Sequence, residues 1–379
     1  MCVTKHTKSY LINNFPQKGR FDMKKFEGYM AGANLGHWIS QYDTHMEIED
    51  EKERYLKVNE HFDTYIQESD FKRAAEWGLD HFRVPVDYYM FESDDNPGVY
   101  DEDRLAYVDF ALNMCKKYGL NMVLDLHHAP GYTFNAGYDE EKNSMFKNEE
   151  QTQRYINIWL MFTNRYKDEG DNIAFELLNE LAIPDISLWN KLWKRTADEI
   201  LKISPKRKII IGSNDWNSIE HLQFLDVIEN DNFVYNFHTY EPYMFTHQRA
   251  FWNPNTAAYN HSVTYPSDQS EYADYIKKCV PDTLPYYHLE RLDKEFMYCY
   301  FKSAVEFLEK HDVPLYCGEY GVYGTADDRS AERWLDDTTS ILCELGIGHA
   351  VWSYRGFSRI TGENNELLNP KMVEYISRK

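Results

Sequence analysis

Two short stretches of the chain run apolar and then stop on an acid. Phe-Glu-Leu-Leu-Asn-Glu ends on Glu180, and Pro-Leu-Tyr-Cys-Gly-Glu ends on Glu319 ahead of a Gly-containing loop. Each apolar run fits a β-strand, which places both acids at strand C-terminal ends. In a chain that alternates strands and helices those ends gather on one face, so the two acids are the candidate reaction centre. Side chains alternate along a strand. Leu315, Cys317 and Glu319 therefore share a face, and Glu319 points inward if the interior takes Leu315 and Cys317. By the same count Glu176, Leu178 and Glu180 share a face. An inward Glu176 requires a partner such as an arginine, because an unpaired buried charge is too costly.

The histidines admit a rival chemistry. Asp125, His127, His128 and His238 could join the two glutamates around a metal, since zinc takes imidazole and carboxylate ligands. No His-x-His, His-Glu-x-x-His or cysteine-rich spacing supports it, and a strand-end histidine is more often a hydrogen-bonding residue. Gly-x-Gly-x-x-Gly, Walker and Gly-x-Ser-x-Gly patterns are absent, which removes the nucleotide and serine-hydrolase readings.

The elements that must position these residues follow a β/α rhythm. Strand-like segments fall at 29–34, 81–84, 121–126, 173–178, 208–212, 233–238, 314–318 and 348–352. Helical periodicity falls at 69–77, 104–118, 152–167, 187–202, 218–228, 294–310, 330–344 and 372–377. Eight such units predict a closed (β/α)8 TIM barrel, with a doubly wound open sheet as the alternative. One connection breaks the rhythm. From Thr239 to about Asp293 no clear strand intervenes, and so long a connection is usually functional. Its rings, Trp252 among them, predict a substrate-facing wall, a small self-packed aromatic cluster being the alternative. The organisation expected is a single catalytic domain over 23–379, an inserted subdomain at about 241–293 and an N-terminal extension over 1–22.

Composition narrows the ligand. Charges of 41 and 62 give a net of −21 over 379 residues, which disfavours nucleic acid and anionic membrane as partners. The 30 tyrosines and 9 tryptophans suit a neutral ligand with apolar faces and many hydroxyls. The 6 cysteines lack CxxC spacing, and no apolar signal segment or transmembrane run is visible, so free thiols and a cytoplasmic location are expected. A monomer without a cofactor completes the expectation.

Seven motifs, in order, carry a resemblance: Gly-Ala-Asn-Leu-Gly-His-Trp from Gly32, His-Phe-Arg-Val-Pro from His81, Leu-Asp-Leu-His-His-Ala-Pro-Gly from Leu124, Phe-Glu-Leu-Leu-Asn-Glu from Phe175, Asn-Phe-His-Thr-Tyr from Asn236, Gly-Glu-Tyr-Gly from Gly318 and Val-Trp-Ser-Tyr from Val351. From about residue 24 to its end, the chain resembles glycoside hydrolase family five, most closely its compact endoglucanases with an insertion after the sixth strand. The resemblance implies a retaining endo-β-glucanase acting on β-1,4 or mixed-linkage glucan, with a β-mannanase or β-1,3-glucanase as the nearest rivals. Glu180 then matches the acid/base and Glu319 the nucleophile. Arg83 and Tyr240 match the pair that fixes the nucleophile, and Asn179 the amide that holds the sugar 2-OH. His127 and His238 match the histidines beside the acids, and Trp352 the platform under the reacting sugar. His128 and Trp252 are carried over as further substrate-binding residues. Asn-Glu is followed by Leu181 where the family more often has Pro, which touches only the local turn. Without the resemblance, Asn179-Glu180 could be a helix-capping pair, Glu319 a loop carboxylate, Trp352 a core ring and Arg83 a partner for Glu176. A barrel that binds glycans without cutting them is the non-enzymatic alternative.

Overall fold

Among the described residues eight strands form the barrel, in chain order β1 (Ala31–Asn34), β2 (His81–Asp87), β3 (Asn121–His128), β4 (Ile173–Glu176), β5 (Lys208–Gly212), β6 (Phe233–Thr239), β7 (Leu315–Tyr320) and β8 (Gly348–Val351), while the long connection after β6, expected to hold no clear strand, contains a short antiparallel pair, Ser267–Asp268 with Arg291–Leu292. Each barrel strand pairs in parallel with its neighbours in that order, and β8 closes onto β1. The computed structural model describes residues 24–42, 45, 47–268, 291–358, 360–362 and 364–379. The 1–22 extension, Cys2, Cys279 and the insertion's second half, 269–290, lie outside the described residues.

Parallel strands buried on both faces read as continuous apolar runs, and the amphipathic helices supply the outer cover. Ile186–Ile203 shows the pattern: Trp189, Leu192, Trp193, Ala197 and Ile200 form its buried stripe, and Asp185 caps its start by accepting from the Ser187 N–H. Truncating such a buried ring, as in Trp193→Ala, costs about 3–5 kcal/mol. One helix, Glu51–Tyr65, has no counterpart in the periodicity reading. It buries only Val58 and Phe62, so its sequence is polar almost all round. The helix expected over 218–228 is instead a six-residue 3-10 turn, Ile219–Phe224.

Inside the barrel the residues stack in layers. Val123, Ala174, Ile210, Val234, Tyr316 and Ala350 form an apolar floor with Phe26 and Tyr29. Two residues further along β3, β4 and β6, on the same face, come Asp125, Glu176 and Asn236. Strand parity thus converts an apolar floor into a polar layer just below the C-terminal mouth.

Glu319 reaches the site by a different route from simple alternation along β7. The interior takes Tyr316, while Leu315 and Cys317 join the larger core on the helix side. Glu319 nonetheless faces the site because β7 shifts register: Phe237 pairs Cys317, but the next residue, His238, pairs Glu319. Gly318 is the residue passed over, and a Cβ there would lie 2.8 Å from Asn236 Nδ2 and 3.1 Å from His238 Nε2. A glycine is what permits the bulge. β4 also stops at Glu176, two residues before the expected 178, so the alternation from Glu176 to Glu180 does not run through; Leu177 and Leu178 both enter the larger core.

Candidate active site

Arg83 is the centre of the polar layer. Its side chain is fully buried, and Nε and Nη2 donate to the two oxygens of Glu176 at 2.7 and 2.8 Å. Nη1 donates to Asn34 Oδ1 and to Glu319 Oε1, both at 2.9 Å, and Nη2 to Asn179 Oδ1 at 2.8 Å. Asp125 Oδ2 lies 3.1 Å from Nη2. The arginine that Glu176 requires is therefore the same one that holds Glu319. A planar fork of donors serves several acceptors at once, which a lysine could not do.

The second oxygen of Glu319 accepts from the Tyr240 hydroxyl at 2.8 Å. Glu180 approaches from the loop after β4, and its Oε1 lies 2.9 Å from His238 Nδ1. The same nitrogen stands 3.7 Å from Glu319 Oε2. One oxygen of each carboxyl and one nitrogen of His238 all fall within 4.8 Å of one another. Among the described residues His238 Nε2 is buried without a partner.

The two carboxyls sit in unequal fields. Burial pushes Glu180 well above the usual carboxylate range, and the neighbouring Glu319 charge pushes it further. Burial also raises Glu319, to about 7, but the Arg83 charge and the Tyr240 hydrogen bond oppose the rise. The proton held by the pair therefore resides on Glu180. Burial raises Asp125 and Glu176 to about 7 as well, since one guanidinium cannot offset every acid around it. Burial drives His127 and His238 well below their usual values, so both imidazoles are neutral.

His127 and His128 are both held although they are neighbours. His127 pairs with Asp125 through Nδ1 at 2.8 Å and stacks flat on Trp352, centroids 5.6 Å apart and planes 5° apart. His127 Nε2 comes 3.4 Å from Asn179 Nδ2. His128 pairs instead with Asp87, because the β2–β3 register shifts at that point. Its ring lies against Phe134 and lines a neighbouring groove between the loops after β2 and β3, not the cleft above the two acids. That placement separates His128 from the other site residues. The metal alternative also loses its wider ligand set, since each imidazole of the His127-His128 pair spends Nδ1 on a different carboxylate. Both Glu319 oxygens already accept from Arg83 and Tyr240, so the three-residue cluster is better matched to moving a proton than to binding a cation.

A cleft of about 1080 Å³ opens above Glu180 and Glu319 and includes Trp352 and Trp252 in its walls. Gly36 lets Trp352 lie close to the loop after β1, where a Cβ would approach the indole to 2.9 Å. Trp252 is 44% exposed and meets Tyr323 edge to face at 4.7 Å. Sequence reasoning missed a second exposed indole, Trp216, on the loop after β5. Asp215, Trp216 and Asn217 all take left-handed φ values of 56°, 54° and 60°. Such backbone is uncommon for non-glycine residues and is held here by surrounding bonds. Trp216 N–H donates to Leu181 O at 2.8 Å and its indole N–H to Phe134 O at 3.2 Å. The signal was present: Asn-Asp-Trp-Asn comes one residue after the fifth strand, an aromatic among residues that tolerate that conformation. Gln41 also lines the cleft, and its Oε1 is buried without a partner among the described residues, an acceptor free for a ligand hydroxyl.

A barrel with paired carboxyls at the ends of β4 and β7 and a tryptophan after β8 carries the arrangement the motifs implied. The cellulase model, glycosyl hydrolase family 5, matches residues 42–358. The chain belongs to this family. Endoglucanase C of Acetivibrio thermocellus is 41% identical over 358 residues, covering 93% of this chain and 98% of that protein. Cellodextrinase A of Ruminococcus flavefaciens is 33% identical over 326 residues, covering 86% and 85%. A solved hyperthermophilic endo-β-1,4-glucanase in complex with substrate superposes with a TM-score of 0.71 at 22% identity, over 94% and 100% of the two chains. Thermotoga maritima Cel5A in complex with mannotriose gives 0.70 at 23%, over 93% and 100%. At these identities the structural likeness is one of fold. Within family 5, this member's placement of Glu180, Glu319, Arg83 and Tyr240 is what its chemistry has to work with.

Proposed function

We propose that this chain is a retaining endo-β-1,4-glucanase in which Glu319 is the nucleophile and Glu180 the general acid and then base. The observation that carries the reading is the pair of carboxyl oxygens within 4.8 Å of each other, one carboxyl locked by Arg83 and Tyr240 and the other facing a neutral imidazole. A separation of about 5 Å suits direct attack, whereas inversion needs about 6.5–9.5 Å to admit a water.

With a sugar seated against Trp352, Glu319 attacks the anomeric carbon while Glu180 protonates the departing glycosidic oxygen. A Glu319 ester bond forms as the glycosidic bond breaks, and the shortened chain leaves with the proton. The ester is neutral, so Glu180 loses the adjacent charge that raised it and becomes a usable base. It then takes a proton from water, whose oxygen attacks the anomeric carbon as the ester breaks. Glu319 returns ionised to Arg83 and Tyr240, and Glu180 returns protonated. Asn179, fixed by Arg83, faces the reacting sugar's 2-OH, and His127 offers Nε2 beside it.

The names of the two relatives, an endoglucanase and a cellodextrinase, support β-1,4-glucan as the substrate. The open cleft with two exposed indoles in its lining supports internal cutting, and the protein is taken to act as a monomer on polysaccharide. No helix among the described residues is long and apolar enough to cross a membrane. Reducing-end release from β-1,4-glucan, mixed-linkage glucan, β-1,3-glucan and mannan tests the assignment, with viscosity followed in parallel. A fast fall in viscosity on β-1,4-glucan is expected; turnover of mannan alone would replace the assignment.

A further inference from the structure

We propose that His247, in the segment after β6, is a positioning residue: its ring holds the Tyr240 phenol on Glu319 and so ties the insertion to the chemical step. The inference rests on the reading of Glu319 as nucleophile. Tyr240 is the last anchor of Glu319 on the β6 side, yet its own ring is set by the start of the insertion. His247 meets that ring edge to face at 4.9 Å and 81°. On its other side His247 stacks on Tyr243, 4.0 Å away with planes 10° apart. Thr246 Oγ1 donates to Tyr240 O, and Tyr323 N–H donates to Thr246 O at 2.8 Å, which pins the short helix Tyr243–Thr246 to the loop after β7. Trp252 approaches the same imidazole at 6.2 Å. One buried ring therefore lies between the exposed rim of the insertion and the hydroxyl that bonds the nucleophile.

The imidazole does this as a flat body rather than as a charge. Burial lowers His247 to about 3, so it is neutral wherever the enzyme works. Its Nδ1 contact is to the Thr246 hydroxyl at 3.1 Å, and that hydroxyl already donates to Tyr240 O, so a phenyl ring could replace it. What a smaller side chain removes is the nearer of the two rings against which Tyr240 rests, His247 at 4.9 Å, leaving Phe357 at 6.2 Å. The phenol would then swing, and Glu319 would keep Arg83 but lose a hydrogen bond to its ionised form. Around Glu319 stand Arg83 from β2, Asp125 from β3, Glu176 and Glu180 from β4 and its loop, His238 from β6 and Tyr240 just after it. Of these, among the described residues, Tyr240 is the one whose ring packs on the insertion. Loss of a donor that favours the charged carboxylate moves its titration upward.

The test is the pH profile of kcat/KM on an aryl β-cellobioside for the full chain and for His247→Ala, His247→Leu and His247→Phe. Alanine and leucine should raise the acidic limb by about half a pH unit and lower kcat roughly tenfold with KM little changed. Phenylalanine keeps the flat ring and should leave the limb in place. Leucine fills most of the volume, so it carries the test if alanine does not fold. A lowered Tm with an unmoved limb in leucine, or a limb moved equally by phenylalanine and leucine, would overturn the proposal. Failure of the wild type to cleave the glycoside would instead strike the functional reading on which it rests.

Discussion

Arg83 at the floor of the cleft and Trp252 at its rim differ in almost every physical respect. Arg83 is fully buried on a strand, charged, and bonded to Glu176, Glu319, Asn179 and Asn34. Trp252 is 44% exposed on a loop and, among the described residues, meets its neighbours through ring contacts. The floor stores electrostatic order that every turnover needs, because a preorganised charge acts on the reacting atoms at no further cost. The rim offers apolar faces on which further sugar units stack. Variants of the floor should therefore fail on all substrates, and variants of the rim only on long ones.

Glu319→Gln should give the largest effect, a loss of about 10⁴-fold or more in kcat on polymer and on aryl glycoside alike, with oligosaccharide binding by calorimetry retained. Next comes Arg83→Lys. It breaks the fork to Glu176 and Glu319, so kcat should fall by about 10²–10³-fold and denaturant melts should show a loss of about 3–5 kcal/mol. The same variant weakens the main opposition to the raised Glu319. Since the nucleophile must be ionised, the acidic limb of the pH profile should move upward, and a downward move would contradict the assignment. Trp352→Ala should harm both substrates, by roughly tenfold or more, because the reacting sugar itself rests there. The smallest effects belong to the rim. Trp216→Ala and Trp252→Ala should each lower kcat/KM on polymer about tenfold, leave an aryl glycoside nearly untouched and barely move Tm. If either instead lowers Tm and spares both activities, that indole is a packing residue and the contrast between floor and rim loses one side.

The floor was the more legible of the two regions, for a physical reason. Strand ends in a β/α chain leave an apolar run followed by a polar residue, and Asn179, Glu180, His238, Tyr240 and Glu319 all read that way. The need for a cation beside Glu176 was visible from burial cost alone, and Arg83 meets it. Alternation misled where it was interrupted. Gly318 lets β7 skip a residue, so Glu319 faces the site although Leu315 and Cys317 do not. A bulge of this kind depends on contacts from β6 and leaves only a glycine in the sequence. His128 obeyed a similar register shift at Asp87 and ended in the neighbouring groove. The rim was legible only in composition. Trp252 could be placed in a long aromatic connection, but Trp216 depends on a left-handed run whose cause is bonding to Leu181 and Phe134, residues distant in sequence. The helix Glu51–Tyr65 escaped because two buried residues do not make a period.

Double displacement needs Glu319 and Glu180 close together and unequally protonated. Proton NMR of the first sugar released from a β-linked substrate, read before mutarotation, tests it most directly. Attack by Glu319 makes the β-anomer appear first, with the α-anomer growing in only as mutarotation proceeds. An α-anomer as the initial product would mean that water, not Glu319, attacks the anomeric carbon.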